Sequence, residues 1–136
     1  MTLRRAAIVA PIRTAVGKFG GSLAPLTAGQ LGATILKALI ERTGIDPHRV
    51  DDVIFAQGYG NGEAPCISHW SWLLAGFPEE VPGYQLDRRC GSGLQAIVNA
   101  AMMIRPADVV VAGGCGACRT SSITAPKSAR ACARAT

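Results

Sequence analysis

The chain has 136 residues, with 14 Lys and Arg against 9 Asp and Glu and a formal net charge of +5. At 49% hydrophobic and 17% charged it is not a disordered chain, and no apolar run reaches the roughly 18 residues a membrane helix needs. The length suits about one domain, and a basic balance of this kind usually points to nucleic acid or an anionic cofactor.

Residues 6–12, apolar throughout, predict a short buried strand. Arg4 and Arg5 ahead of that run give it the look of a weak signal peptide, but no small-residue cleavage site follows. Residues 13–25 are loop, broken by Gly17, Gly20, Gly21 and Pro25. Thr27 is a plausible N-cap for a helix in which Leu31, Ile35, Ala38 and Leu39 recur at helical spacing to about Arg42, with Gly44 as its stop. A turn over 45–49 leads to a second strand over 50–56, then to a loop made flexible by Gly58, Gly60 and Gly62. A helix over 67–75 stops at Gly76 and Pro78, a short strand covers 83–87, and a strongly apolar helix covers 93–104. A last strand over 107–112 ends at Gly113 and Gly114. Strands alternating with helices, without hairpin signals, predict an α/β fold with a largely parallel sheet covered on both faces.

The charge divides unevenly along this order. Residues 1–114 hold 10 basic residues and all 9 acids, a net of +1, whereas 115–136 hold 4 basic residues and no acid. Beyond Gly114 the composition is Ala, Arg, Ser, Thr and Cys, with Ile123 the only large apolar residue. We therefore expect a folded part over 1–114 and an atypical basic tail over 115–136, disordered or out of frame. The basic excess then belongs to the tail, and no nucleic-acid partner is expected.

Chemistry concentrates where the third expected strand runs into a helix, at Asp87-Arg88-Arg89-Cys90-Gly91-Ser92-Gly93. A thiol at a helix N-terminus faces unpaired N–H groups and the positive end of the helix dipole, which favours thiolate. Arg88 and Arg89 are expected to add positive field. Gly91 and Gly93 permit a sharp backbone and close approach of a ligand or another chain. The arrangement has the logic of a nucleophile on a tight strand-to-helix turn, whose N–H groups also suit a developing oxyanion. The competing reading of Cys90 is a small buried apolar residue. Cys66 is read in that way, at a helix start. Cys115 and Cys118 form a Cys-x-x-Cys pair, but neither a following helix nor a second pair supports a redox or zinc site, and no bound metal is expected. The sparse cysteines suit a reducing compartment. His48, in a turn, and His69, in a helix, are read as surface or packing residues.

At Cys90-Gly91-Ser92-Gly93 the sequence resembles the thiolase family. The resemblance extends over about 110 residues: Arg13-Thr14, Gly17-Lys18-Phe19-Gly20-Gly21, Leu31-Gly32-Ala33, Gly44-Ile45-Asp46-Pro47, Val50-Asp51-Asp52-Val53-Ile54, Ala75-Gly76-Phe77-Pro78, Val81-Pro82-Gly83 and the stretch 108–114. Within the family it is most similar to biosynthetic acetyl-CoA acetyltransferases. The resemblance implies an αβαβα five-layer parent fold, of which this chain holds an incomplete N-terminal half. It implies that Cys90 is the catalytic nucleophile that takes an acyl group as a thioester, with Arg89, Gly91, Ser92 and Gly93 shaping the site. Claisen condensation of acyl-CoA, or thiolysis of a 3-ketoacyl-CoA, then follows. It further implies CoA thioesters as substrates with no permanently bound cofactor, a homodimer or homotetramer as the parent assembly, and a cytoplasmic enzyme without a membrane partner.

Two departures limit what the chain is expected to do. The family's other acid/base groups lie in a Gly-His-Pro motif and a Cys-x-Gly-x-Gly motif, and neither occurs here. With about the first third of a thiolase present, apolar surface should be exposed and turnover by the chain alone is not expected. A few residues look deleted where Ile104 meets Arg105-Pro106, and after Gly114 the family-like sequence gives way to Cys115-Gly116-Ala117-Cys118. A shifted reading frame is one account of the tail. The alternatives are a truncated pseudo-enzyme or subunit-interaction remnant and, more remotely, a small redox or metal-binding protein.

Overall fold

The computed structural model describes residues 5–60, 62–104 and 107–116. The elements run α1 (Ala28–Thr43), a 3-10 turn (Pro47–Arg49), β1 (Asp52–Ala56), α2 (Ile67–Leu74), β2 (Gly83–Leu86), a second 3-10 turn (Arg89–Gly91), α3 (Ser92–Met103) and β3 (Val110–Gly114).

The caps of α1 are those the sequence predicts. Thr27 Oγ1 accepts from Gln30 N at 3.2 Å, and Gln30 Oε1 accepts from Thr27 N at 2.9 Å, a complete capping box. At the other end Gly44 takes a left-handed φ of 66° and donates its N–H to Ile40 O at 2.8 Å. The start of α2 is held differently. Cys66 supplies no side-chain cap, and the first N–H, of Ile67, donates instead to Gln85 Oε1 on β2 at 3.0 Å.

The three strands are parallel in the order β2-β1-β3, with Val53 opposite Gly83 and Val111, and Ala56 opposite Leu86 and Gly114. Chain order explains the two-sided cover. The step from β1 to β2 moves one way across the sheet, and the step from β2 to β3 passes back over β1. Right-handed crossovers in opposite directions place their helices on opposite faces. Alternate residues of β1 accordingly serve two cores. Val53 and Phe55 join Leu36, Ile67 and Trp72 under α1 and α2, while Ile54 joins Ala96 and Ala100 under α3.

The α1–α2 side is closely built. A Cβ at Gly29 would lie 2.7 Å from Trp70 Cδ1, and one at Gly32 would overlap Ser71 Oγ, so the two helices approach through glycine. Trp72 is fully buried, donates Nε1–H to Pro78 O at 2.8 Å and packs on Phe77 with ring centroids 4.7 Å apart.

The structure corrects three boundaries. Residues 5–12 form no strand and are mostly exposed, with Ile8 and Val9 about three-quarters accessible at 76% and 75%. An apolar run forms a buried strand only where a sheet edge and a covering layer receive it. The long-range tie given to this run is a hydrogen bond from Arg42 Nη1 to Pro11 O. The last strand is shifted C-terminally. Asp51 carboxylate accepts from Asp108 N and Val109 N at 2.8 and 2.9 Å, and those residues lie outside the strand. The ladder to β1 then carries the strand through both glycines expected to end it, with Cys115 N donating to Ala56 O at 3.0 Å. Cys115 is therefore tied to the sheet. Of the tail expected over 115–136, residues 117–136 lie outside the described residues, as does the apparent deletion at 105–106. Among the described residues no helix is long and apolar enough to cross a membrane.

Candidate functional site

The carboxyl ends of all three strands lie at one edge of the sheet, where open parallel sheets bind ligands. There β1 opens into the glycine loop from Gln57, β3 runs into Gly114 and Cys115, and β2 leads into the turn that carries Cys90. Cys90 sits in the 3-10 turn immediately before α3, and it is exposed, not buried in apolar packing. Its thiol has no hydrogen-bond partner among the described residues. No side chain caps α3 and no acid occupies its first turn, so the positive end of the helix lies beside the thiol, while the N–H groups of Gly91 and Ser92 donate to Arg88 O and Arg89 O.

Ser92 holds the turn from inside. It is 3% exposed, and its Oγ accepts from Arg88 N at 2.6 Å while donating to Arg89 O at 2.7 Å. One hydroxyl thus closes the backbone on both sides of the position before Cys90.

The sharp bend does not fall on the glycines. Gly91 has an ordinary φ of −89°, whereas Arg89 takes φ +49°, a left-handed conformation. For a residue with a side chain that conformation costs about 1–2 kcal/mol. A Cβ at Gly93 would meet nothing within 4 Å, and one at Gly91 would lie 3.8 Å from Arg88 Cγ, so both glycines leave room on the open side of the turn.

The two arginines are engaged in hydrogen bonds, which qualifies their expected role as a source of field. Arg88 donates to Gln95 Oε1, and the contacts continue from Gln95 Nε2 to Asn99 Oδ1 at 2.7 Å and from Asn99 Nδ2 to Tyr84 Oη at 3.0 Å. Arg89 pairs with Asp87 Oδ2, donates to Gly58 O, and lies over the Tyr59 ring at 5.1 Å. Asp87 Oδ1 also accepts from Arg89 N at 2.8 Å. Sequence reasoning missed Asp87, Gly58 and Tyr59. An aromatic within a glycine loop 30 residues from an arginine gives no local signal of their pairing.

The other candidates fall elsewhere. His48 Nδ1 lies 2.8 Å from Glu80 Oε1 on the surface, in the turn that precedes β1 and so toward the opposite edge of the sheet from Cys90. Among the described residues no hydrogen-bond partner meets the buried atoms His69 Nδ1 and Ser71 Oγ of α2 or Gln57 Oε1 after β1. Cys66 is half-buried, with Sγ 3.2 Å from Ser68 Oγ. Cys115 is half-buried, donates to Ala28 O at 2.8 Å, and burial pushes its thiol pKa up to about 11. Burial thus disfavours its thiolate, and Cys118, the other cysteine of the Cys-x-x-Cys pair, lies outside the described residues. Among the described residues no three His, Cys, Asp or Glu gather as metal ligands would.

Comparisons with known proteins give the family. The model of the thiolase N-terminal domain matches residues 6–135, which carries the match across the composition change at Gly114. The chain belongs to the thiolase family. A steroid 3-ketoacyl-CoA thiolase of Mycobacterium tuberculosis is 49% identical over 116 residues, covering 82% of this chain and 28% of the relative. An acetyl-CoA acetyltransferase of Cupriavidus necator is 45% identical over 109 residues, covering 79% of this chain and 28% of the relative. The crystal structure of an acetyl-CoA acetyltransferase from Bacillus anthracis superposes with a TM-score of 0.68 at 40% identity, over 72% of this chain and 25% of that one. The chain thus spans about 28% of the length of these two curated relatives. The α/β reading with its parallel sheet holds, as the N-terminal part of a thiolase fold.

Proposed function

We propose that this chain carries the acyl-accepting half of thiolase chemistry, with Cys90 as the nucleophile. The observation that carries the reading is the position of Cys90: exposed, at the carboxyl edge of a parallel sheet, against an uncapped helix N-terminus, in a member of the thiolase family. The Cys90 thiolate attacks the carbonyl carbon of an acyl-CoA, the bond from that carbon to the CoA sulfur breaks, and the departing CoA thiolate takes up the proton that Cys90 released. Arg89 and Ser92 shape the turn, and Gly91 and Gly93 keep the approach to the thiol open. The positive end of α3 suits the negative charge formed during the attack.

The substrates of this reading are CoA thioesters, with no permanently bound cofactor, in a cytoplasmic enzyme whose parent assembly is a dimer or tetramer. Condensation or thiolysis needs a second acid/base group, and the 136 residues hold neither motif that supplies one in the family. The chain alone should therefore stop at the acyl-enzyme. We also propose that the change of composition after Gly114 comes from a change of reading frame, although the family model matches as far as residue 135, and the flanking nucleotide sequence tests this directly. A frame that continues no thiolase removes that account.

The test of the main reading incubates the folded chain with acetyl-CoA and follows CoA release together with the site of acetylation by peptide mass spectrometry. The expected result is acetyl on Cys90, lost in Cys90→Ser, with no acetoacetyl-CoA above blank. CoA release unchanged by Cys90→Ser overturns the nucleophile, and acetoacetyl-CoA formation overturns the half-reaction limit.

A further inference from the structure

The most unusual backbone position at the site belongs to Arg89, and it is the residue whose side chain is most fully engaged. A non-glycine residue stays left-handed only where its surroundings over-determine it. Here they do so from two sides. Asp87, from the end of β2, receives both the Arg89 N–H and its guanidinium. Gly58 and Tyr59, from the loop after β1, receive the guanidinium through a carbonyl oxygen and a ring face. The loop also meets the turn through its backbone, since a Cβ at Gly58 would lie 3.6 Å from Arg89 Cα, an ordinary packing distance. The planar fork of arginine suits this set, because it can bond two oxygens and stack on a ring at once, which a lysine ammonium cannot.

We infer that Arg89 is a positioning residue for Cys90: by latching the Gly58–Tyr59 loop to the turn, it keeps its own backbone left-handed and so fixes where the next residue, Cys90, presents its thiol. The role is that of a fork and not of a free charge, because Asp87 already pairs with the guanidinium. Tyr59, though 66% exposed, belongs to the latch, as does Asp87. The inference rests on Cys90 being the nucleophile, and its test separates the two.

The experiment measures iodoacetamide labelling of Cys90 in the full chain, by peptide mass spectrometry, across about pH 6 to 9, the range around an ordinary thiol. It compares the unaltered chain with Arg89→Ala, Arg89→Lys, Arg89→Gly and Tyr59→Leu. Labelling of Cys115, whose thiol is half-buried on Ala28 O, reports whether each variant is folded. With Cys115 protected, Arg89→Ala and Arg89→Lys should each slow Cys90 labelling about tenfold, and Tyr59→Leu about threefold. Arg89→Gly should recover a clear part of the Arg89→Ala loss, because glycine holds a left-handed φ without help. A role in charge or in general stability predicts no such recovery. Full retention of the rate in Arg89→Lys, or a glycine variant no faster than alanine, overturns the latch. The surface variant Tyr59→Leu keeps the test open if the Arg89 variants lose Cys115 protection, and an unchanged Cys90 rate in it also overturns the latch. Absence of any Cys90 preference in the unaltered chain overturns the nucleophile reading instead.

Discussion

The two faces of the sheet are built to different standards. Under α1 and α2 a dozen buried residues form one continuous core around Trp72, Leu36 and Phe55, with glycine-mediated helix contact and a fully capped α1. Under α3 the buried set is Ile54, Ala96 and Ala100, and the far side of the helix leaves Leu94, Val98 and Met102 in solvent at 70%, 43% and 71% exposure. Cys90 stands at the head of the thinly packed helix. The difference teaches that stability and thiol placement are held by separate devices. The first face supplies the hydrophobic anchor, while the turn that carries Cys90 is fixed by local polar ties through Ser92, Asp87 and Arg89. The exposed stripe on α3 also meets the expectation of uncovered apolar surface.

If that division is right, truncations on the thick face should affect stability most. Trp72→Ala removes the largest buried side chain and should cost about 3–5 kcal/mol in a denaturant titration. A loss below about 1 kcal/mol would mean that the face around Trp72 is not the anchor. Ser92→Ala comes next. It strands Arg88 N and removes the hydroxyl that closes the turn, at a cost of about 1–3 kcal/mol. Unlike Trp72→Ala in mild conditions, it should also slow Cys90 alkylation while Cys115 stays protected, and equal effects on both cysteines would erase the distinction between the faces.

Smaller effects follow at Asp51. The N–H groups of Val109 first, and Asp108 second, hold its carboxyl below the ordinary range. A carboxyl depressed by folding adds stability that is complete above its unfolded value, near 3.9, and is lost as pH falls through the folded value. Because the carboxylate is exposed, the contribution should stay under about 1 kcal/mol. Asp51→Asn should therefore be slightly less stable at neutral pH and lose less stability below about pH 4, read from denaturation midpoints against pH. An identical acid decline in both chains would remove Asp51 as a tie between β1 and β3. The smallest effect belongs to the exposed stripe, where Leu94→Ala should change stability by no more than about 0.5 kcal/mol. A larger loss would show that α3 is covered in solution.

Much of this was legible in the sequence, for identifiable reasons. The start and stop of α1 follow from Thr27 and Gly44, whose roles are local. The turn at Cys90 follows from a strand running into a helix within a few residues, and the family likeness sharpened it. What could not be read depended on partners distant in sequence. Residues 6–12 have a strand's composition, but a ladder requires an edge to pair with. Gly113 and Gly114 look like a stop, yet the register with β1 carries the strand through them. Gly91 and Gly93 are where the sequence permits a sharp backbone, yet the left-handed residue is Arg89, held by a loop from another strand.

The central claim is that the fold makes Cys90 reactive instead of merely leaving it accessible. The direct measurement is the iodoacetamide rate at each cysteine at neutral pH, in the folded chain and in the same chain unfolded in denaturant. The account predicts that folding accelerates Cys90 and slows Cys115, whose thiol is half-buried and raised to about 11. A Cys90 rate equal to or below its unfolded value would contradict it.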